Sequence, residues 1–183
     1  LITGQSQKTV SLDTVSVPQL YDTIKQLLHS EEDSLLRSQI ESPQDYSLTL
    51  NAGTTKGSIA NFYFFAPLKG AITTRFNPTE KHFGVDVVAG PDAVIKSAMD
   101  GTVVIAEWTS QAGYVIAIQH SNNMFSVYKH NSALLKKVGN VVKAGEVIAI
   151  VGNSGELSNG PHLHFELWYN GAPVDPTDYI AFE

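Results

Sequence analysis

The spacing of hydrophobic residues divides the chain into two regions of different character. In residues 16–41, leucine and isoleucine recur at three- and four-residue intervals, which is typical of one face of a helix. A polar run at residues 29–34 interrupts this pattern, and Ser30 with Asp33 resembles a capping box. Either one kinked helix or two short helices are therefore predicted. Pro43 ends this region, because the residue before a proline disfavours helical geometry.

The apolar face of this helical stretch has no obvious partner elsewhere in the chain. It either packs against its own domain or pairs with another chain. We expect residues 17–40 to be a candidate surface for self-association or for a partner protein. A fold over a substrate groove, as an inhibitory element, is the third alternative. The stretch is too short and too interrupted to predict a coiled coil.

After a linker of small residues at 53–58, the pattern becomes that of β-strands. Short runs rich in valine, isoleucine, threonine and aromatic residues alternate with glycines, and no helical period follows residue 60. Strands are predicted at residues 101–108, 114–120, 124–130 and 146–151. The Ser-Asn-Asn turn at residues 121–123 is expected to join two of them as a hairpin. The expected fold is an antiparallel, glycine-rich sheet or sandwich, preceded by a helical segment and linker at residues 1–57.

Composition narrows the class of protein. The chain has 183 residues, of which 43% are hydrophobic and 16% charged, as expected of a folded globular protein. A formal net charge of −6 argues against nucleic acid as a partner, since nucleic acids select basic surfaces. The absence of cysteine excludes disulfides and thiolate metal sites. The chain starts at Leu1 with no leader pattern, so we interpret it as processed or truncated, with any export signal or membrane anchor removed.

Four polar residues suggest a metal site. His162 and His164 face the same way on an extended strand, and so do His82 and Asp86 if their segment is a strand. Gly84 would let the backbone pass close to a metal. A catalytic zinc requires three nitrogen or oxygen ligands and one open position for water. The four groups therefore provide three ligands and one further histidine. The alternative is a surface histidine with an aspartate that caps a turn.

Three motifs carry a resemblance to a known family: His82-x-Gly84-x-Asp86, Tyr128-Lys129-His130 and Gly160-Pro161-His162-Leu163-His164-Phe165-Glu166. Together they resemble the signature of the lysostaphin/LytM-type zinc endopeptidases of bacterial cell walls. The resemblance implies a LytM-like β domain with a duplicated hybrid motif at residues 58–183. It also implies Zn²⁺ as the cofactor, held by His82, Asp86 and His164, with water in the fourth position.

The same resemblance assigns His130 and His162 as the catalytic pair. The chemistry supports two histidines beside the metal, because one can take a proton while the other donates to an oxyanion. The sequence leaves open which one does which. Glu166 follows the last ligand at a spacing that favours an orienting role over that of general base. His120 is expected to be structural, and the polar loop 153–160 to line the groove.

The resemblance implies a zinc endopeptidase that cuts peptide cross-links of peptidoglycan, in the periplasm or outside the cell. We expect D-alanyl–diaminopimelate cross-links over pentaglycine, since no wall-binding repeat follows the core motif. Only residues 77–81 separate Phe76 from His82, where many relatives have a longer segment, so a more open groove is expected. One alternative is a non-catalytic module of the same fold that binds or activates another hydrolase. Degenerate relatives of that kind lack one or more of the five site residues, which are all present here. A lipoyl-like or sugar-phosphotransfer carrier is a third interpretation.

Overall fold

The structure, a computed structural model, describes residues 34, 35, 38, 59, 62–90 and 92–183. Within this part of the chain, no helix has the length and apolar character needed to cross a membrane. Ser34, Leu35 and Ser38 are helical, and the rest of the predicted helical stretch lies outside the described residues. The boundary between residues 1–57 and 58–183 also lies outside them and stays a prediction.

Strands dominate the described residues, which confirms the predicted β class. Short 3-10 helices at Pro78–Glu80 and Pro176–Asp178 accompany them. The strands are β1 (Ala71–Thr74), β2 (Val85–Val88), β3 (Val94–Lys96), β4 (Gly101–Thr109), β5 (Gly113–His120), β6 (Met124–Asn131), β7 (Ala133–Leu134), β8 (Val141–Val142), β9 (Val147–Ile150), β10 (Leu163–Tyr169) and β11 (Ala172–Val174).

The strands form two antiparallel sheets. The larger sheet has eight strands in the order β1-β2-β10-β6-β5-β4-β8, with β11 paired to β10. The smaller sheet has the order β3-β9-β7. This order places β2, β10 and β6 side by side, although they are far apart in the sequence. The motif residues are found on these three strands and at their ends.

The four strands predicted from the hydrophobic pattern are confirmed to within one residue at each end. The predicted hairpin turn between β5 and β6 is confirmed as well. Asn122 and Asn123 both have positive φ angles, of 60° and 54°, and asparagine tolerates this left-handed conformation better than most residues.

Apolar side chains lie on both faces of the large sheet. The main core forms where the small sheet packs on one face, and it includes Ile95, Ile148, Ile116 and Phe165 at 0% exposure. The opposite face carries a smaller cluster of buried residues, namely Ile105, Ala112, Val115, Ala117, Phe125, Val127 and Trp168. Because side chains alternate along a strand, β10 directs Leu163, Phe165 and Leu167 into the main core. Its other residues therefore face the opposite side.

Candidate metal centre

The register of the three central strands brings the motif residues together. His164 on β10 is paired with Asp86 on β2 and, on its other side, with Lys129 on β6. Both neighbours lie directly across from His164, at the separation where cross-strand side chains interact. The site is therefore built in the interior of the sheet, from segments that the sequence places far apart.

His82 reaches the site from outside a strand. A shared face for His82 and Asp86 was expected only if residues 82–86 formed one strand, and β2 begins only at Val85. His82 instead forms an isolated bridge with Asn77, in which the His82 amide donates to the Asn77 carbonyl at 3.0 Å. Lys81 just before it has a left-handed backbone with φ of 60°. The 3-10 turn that ends there redirects the chain, so His82 and Asp86 converge without sharing a strand.

Gly84 permits the close packing of the neighbouring strand. A Cβ atom at this position would lie 2.4 Å from the carbonyl oxygen of Phe165 on β10. The absence of a side chain therefore lets this segment lie against β10. That this glycine also lets the backbone pass close to a metal stays a prediction.

Three side chains meet around one carboxylate oxygen. Asp86 Oδ1 lies 2.8 Å from His164 Nδ1 and 3.2 Å from His82 Nε2. The candidate ligand atoms of these three residues all lie within 4.8 Å of one another. The His82 and His164 rings are nearly perpendicular, with centroids 4.8 Å apart. Two nitrogens and one oxygen form the donor set that zinc selects in catalytic sites with an open position.

The far nitrogen of each ring is already bonded to an acceptor. His82 Nδ1 donates to the carbonyl of Arg75 at 2.8 Å, and His164 Nε2 donates to Glu166 Oε1 at 3.0 Å. The near nitrogens face the acceptor Asp86, so each ring has acceptors on both sides. This arrangement requires either two extra protons or one shared cation between the rings and the carboxylate. A single zinc ion at this point satisfies all three groups, and the residues fit it.

The pKa values of the cluster reflect the same demand for positive charge. Burial raises the pKa of Asp86, but hydrogen bonds from His164 and His82 outweigh burial and hold it well below its usual range. Burial lowers the pKa of His164, whereas its bonds to Asp86 and Glu166 more than compensate and raise it overall. The carboxylates are therefore ionised at neutral pH and attract a cation.

Glu166 lies behind His164, at the position expected of an orienting group. Both of its oxygens are engaged: Lys129 Nζ lies 2.7 Å from Oε1, and Trp168 Nε1 donates to Oε2 at 2.8 Å. Burial raises the pKa of Glu166, and the opposing charge of Lys129 with the bond from His164 lowers it well below its usual range. A carboxylate that is buried and fully bonded in this way is suited to orient His164 and poorly suited to take up a proton as a general base.

His130 and His162 lie on the other side of the three candidate ligands. Their ring centroids are 4.9 Å apart, and His162 Nε2 lies 3.8 Å from Asp86 Oδ1. His130 Nδ1 donates to the Ser154 carbonyl at 2.9 Å, which leaves Nε2 as the atom with a lone pair. Burial lowers the pKa of His130 to about 4, so this ring is neutral at pH 7. The structure thus brings all five predicted site residues together.

Two features of the site were missed from the sequence. His130 has a φ angle of 64°, a conformation that is uncommon outside glycine and is frequent at functional sites. Lys129 is buried at 5% exposure and supports Glu166. A lysine inside a strand of buried residues was the available signal for Lys129, whereas nothing in the sequence indicates the φ angle of His130. His120, as predicted, is structural: its Nδ1 donates to the Asp100 carbonyl at 2.9 Å, and its Nε2 lies 2.7 Å from the Ser126 hydroxyl.

Comparison with known proteins agrees with this geometry. Residues 80–176, more than half of the chain, match the description Peptidase family M23. The chain belongs to peptidase family M23. The match contains all five candidate residues, namely His82, Asp86, His130, His162 and His164. The resemblance inferred from the motifs is confirmed.

Relatives in M23 carry several descriptions. The chain is 38% identical over 106 residues to an uncharacterized metalloprotease of Buchnera aphidicola, covering 56% of this chain and 28% of that protein. It is 36% identical over 113 residues to the peptidoglycan DD-endopeptidase ShyB of Vibrio cholerae, covering 57% and 26%. It is 34% identical over 98 residues to the murein hydrolase activator EnvC of Escherichia coli, covering 54% and 23%. The chain thus spans about a quarter of the length of these relatives.

Solved M23-like structures share the fold. A zinc containing peptidase from Vibrio cholerae superposes with a TM-score of 0.59 at 34% identity, covering 62% of this chain and 39% of that one. The catalytic domain of lysostaphin from Staphylococcus simulans superposes with a TM-score of 0.51 at 29% identity, covering 64% and 89%. The fold predicted by the resemblance is therefore confirmed.

Proposed function

We propose that this M23 protein is a zinc-dependent endopeptidase that hydrolyses peptide cross-links of bacterial peptidoglycan. In this proposal His82, Asp86 and His164 hold the zinc, and His130 and His162 are the catalytic pair. One observation carries it: His82 and His164 both face Asp86 while their far nitrogens are already bonded to acceptors. Only a cation shared by the three groups removes this conflict without two added protons.

When bound, the metal would act as a Lewis acid that polarises the scissile carbonyl and makes water nucleophilic near neutral pH. The protein supplies proton transfer and charge stabilisation. His130 and His162 each have Nδ1 bonded to a main-chain carbonyl, at 2.9 and 2.8 Å, so Nε2 is the atom left for the reaction. A neutral ring takes up a proton at Nε2, and a protonated ring donates one to the developing oxyanion. Two such rings 4.9 Å apart cover both tasks.

A second candidate function is that of an activator of another hydrolase. The similarity to the murein hydrolase activator EnvC favours it. Against it, all five residues needed for metal binding and proton transfer are present in this chain. The side chains of His82 and His164 also meet at Asp86, and each ring has a hydrogen-bond partner on its far side. A module that only binds a partner needs neither the ligands nor the residues that orient them, so we favour catalysis.

The proposed substrates are stem-peptide cross-links between D-alanine and diaminopimelate. The relatives named DD-endopeptidase and DD-carboxypeptidase/endopeptidase support this class of bond. The proposed location is the cell envelope, in the periplasm or outside the cell, where peptidoglycan is found. We further propose that residues 58–183 form the catalytic domain and that residues 1–57 are a separate element.

Digestion of purified sacculi tests this function. The zinc-loaded chain is incubated with sacculi cross-linked through diaminopimelate and with sacculi cross-linked through pentaglycine, and released muropeptides are separated. We expect monomers from the cross-linked dimers of the first wall type. The variants His130→Ala and His162→Ala should keep one zinc per chain and release product at least about 10²-fold more slowly. Full zinc content with no cleavage of either wall would favour the activator instead.

A further inference from the structure

The loop at residues 153–160 provides one main-chain carbonyl to each candidate catalytic histidine. The Ser154 carbonyl accepts from His130 Nδ1 at 2.9 Å, and the Gly160 carbonyl accepts from His162 Nδ1 at 2.8 Å. A neutral imidazole carries one N–H, and the acceptor that faces it decides which nitrogen bears the proton. The two ends of one loop therefore determine the tautomers of both rings.

Asn153 holds the far end of this loop in place. Its Oδ1 accepts two hydrogen bonds, from the Ser158 hydroxyl at 2.6 Å and from the Gly160 amide at 2.8 Å. Gly160 has a φ angle of 149°, a backbone conformation that side chains strongly disfavour. The bond from its amide to Asn153 fixes this residue, whose carbonyl then faces His162. Both bonds need only an acceptor at Oδ1.

Ser154 fastens the near end of the loop to the large sheet. Its hydroxyl donates to the Asn131 carbonyl at 2.6 Å and accepts from the Tyr114 amide at 2.9 Å, so it connects to β6 and β5. The contact is close, since a Cβ atom on Gly113 would lie 1.9 Å from Ser154 Oγ. The loop is thus anchored to the strand that carries His130, and Asn153 adjoins this anchor in the chain.

We propose that Asn153 is a positioning residue: it holds Gly160 so that the Gly160 carbonyl keeps His162 in the Nδ1–H tautomer, with Nε2 directed to the substrate. The proposal rests on the proposed function for its catalytic meaning, since His162 is the ring that it serves. The contacts themselves do not depend on the metal, because neither Asn153 nor His162 is a proposed ligand.

Three variants of the whole zinc-loaded chain test this role. Asn153→Ala removes the acceptor. Asn153→Asp keeps an oxygen at the same place and accepts both bonds. Asn159→Ala is the matched control in the same loop, because within residues 92–183 its side chain forms no hydrogen bond. Nitrogen-15 NMR of the imidazole rings reports the tautomer of His162, and muropeptide release reports kcat and KM separately.

We expect Asn153→Ala to convert His162 from one tautomer to a mixture. Its kcat should fall about 10-fold, the scale found for residues that orient catalytic groups, with KM and the zinc dissociation constant unchanged. Asn153→Asp should restore the Nδ1–H tautomer and most of kcat, and Asn159→Ala should keep the wild-type tautomer of His162. A single Nδ1–H tautomer retained in Asn153→Ala would overturn the proposal, and so would a mixture that persists in Asn153→Asp.

The two proposals fail in different ways. Suppose that neither the wild type nor any variant cleaves peptidoglycan, while Asn153→Ala still shows a mixture of His162 tautomers. In that case the positioning role stands and the proposed function is refuted. If the wild type cleaves and all three variants show its tautomer and its kcat, the function stands and the positioning role is refuted.

Discussion

At the scale of single residues, Asp86 is the centre of the site. Its Oδ1 faces His164 Nδ1 at 2.8 Å and His82 Nε2 at 3.2 Å, and both rings have acceptors on their far side. A cation placed among these groups replaces the protons that they would otherwise share. Since ligands must be deprotonated, zinc binding at this site should release protons and weaken as the pH falls.

Replacing one ligand should remove the metal. In His164→Ala, two of the three proposed ligand side chains remain, and a site with two protein ligands no longer provides the donor set of a catalytic zinc. We expect less than one tenth of the wild-type zinc content by elemental analysis. His162→Ala is the matched control, because its Nε2 lies 3.8 Å from Asp86 Oδ1 and it is not a proposed ligand. Full zinc occupancy in His164→Ala would require a different set of ligands.

His120 should make stability depend on pH through a group outside the site. Burial lowers its pKa from 6.5 to about 4, so the folded ring stays neutral where the unfolded ring is protonated. With respect to this group, the free energy of unfolding is therefore highest above pH 6.5, and it decreases as the pH falls from 6.5 towards 4. At pH 5 the loss is about 2 kcal/mol.

Urea unfolding of wild type and His120→Gln at pH 7 and pH 5 measures the contribution of His120 to the pH dependence of the free energy of unfolding. Glutamine does not titrate. We therefore expect the free energy of unfolding of His120→Gln to fall less between the two pH values than that of the wild type, by about 2 kcal/mol. The comparison removes the contribution of the other ionisable groups, which both proteins share. Equal losses in the two proteins would show that His120 is not protonated on unfolding in this range.

At the scale of elements, four of the eleven strands that the structure describes and the β5–β6 hairpin could be predicted, whereas the pairing of strands distant in the sequence could not. The alternation of apolar residues predicts β4, β5, β6 and β9 to within one residue. The five candidate site residues could be predicted because each lies in a short, contiguous sequence motif. Lys129 opposite His164 depends on the register between β6 and β10, which no local pattern determines. The position of His82 off the strand depends on one left-handed residue, Lys81.

The contact between Gly84 and β10 gives a test at this scale. In Gly84→Ala the new Cβ would meet the Phe165 carbonyl at 2.4 Å, so the segment must move away from the strand that carries His164. We expect a loss of about 1–3 kcal/mol in the free energy of unfolding and a weaker zinc affinity. Gly90→Ala is the control, because its Cβ would meet nothing within 4 Å. If Gly84→Ala kept the wild-type stability and zinc affinity, the close contact would have no structural role.

At the scale of the whole molecule, the buried core residues that the structure describes lie between residues 68 and 182. The match to peptidase family M23 covers residues 80–176 of this part. A catalytic domain at residues 58–183 with a separate element at residues 1–57 stays a proposal, in which the N-terminal segment inhibits, binds a partner or acts as a spacer.

Deletion of residues 1–56 separates these roles. We expect the shortened protein to fold and to bind one zinc per chain, since the core and the ligands remain. Muropeptide release per zinc-loaded molecule is then compared with that of the full chain. A clear rise would assign an inhibitory role to the segment, and an equal rate would assign that of a spacer. A shortened protein that binds no zinc would contradict the proposed domain boundary.

The pairing of β2 with β10 has a consequence for the order in which this protein matures. Asp86 and His164 are 78 positions apart, so the strands that carry them meet only after a large loop has closed. Such distant pairings form slowly compared with local hairpins such as β5–β6. A half-folded chain therefore carries the proposed ligands Asp86 and His164 on strands that have not yet met. The proposed zinc site, and any activity that depends on it, forms only once the sheet has assembled.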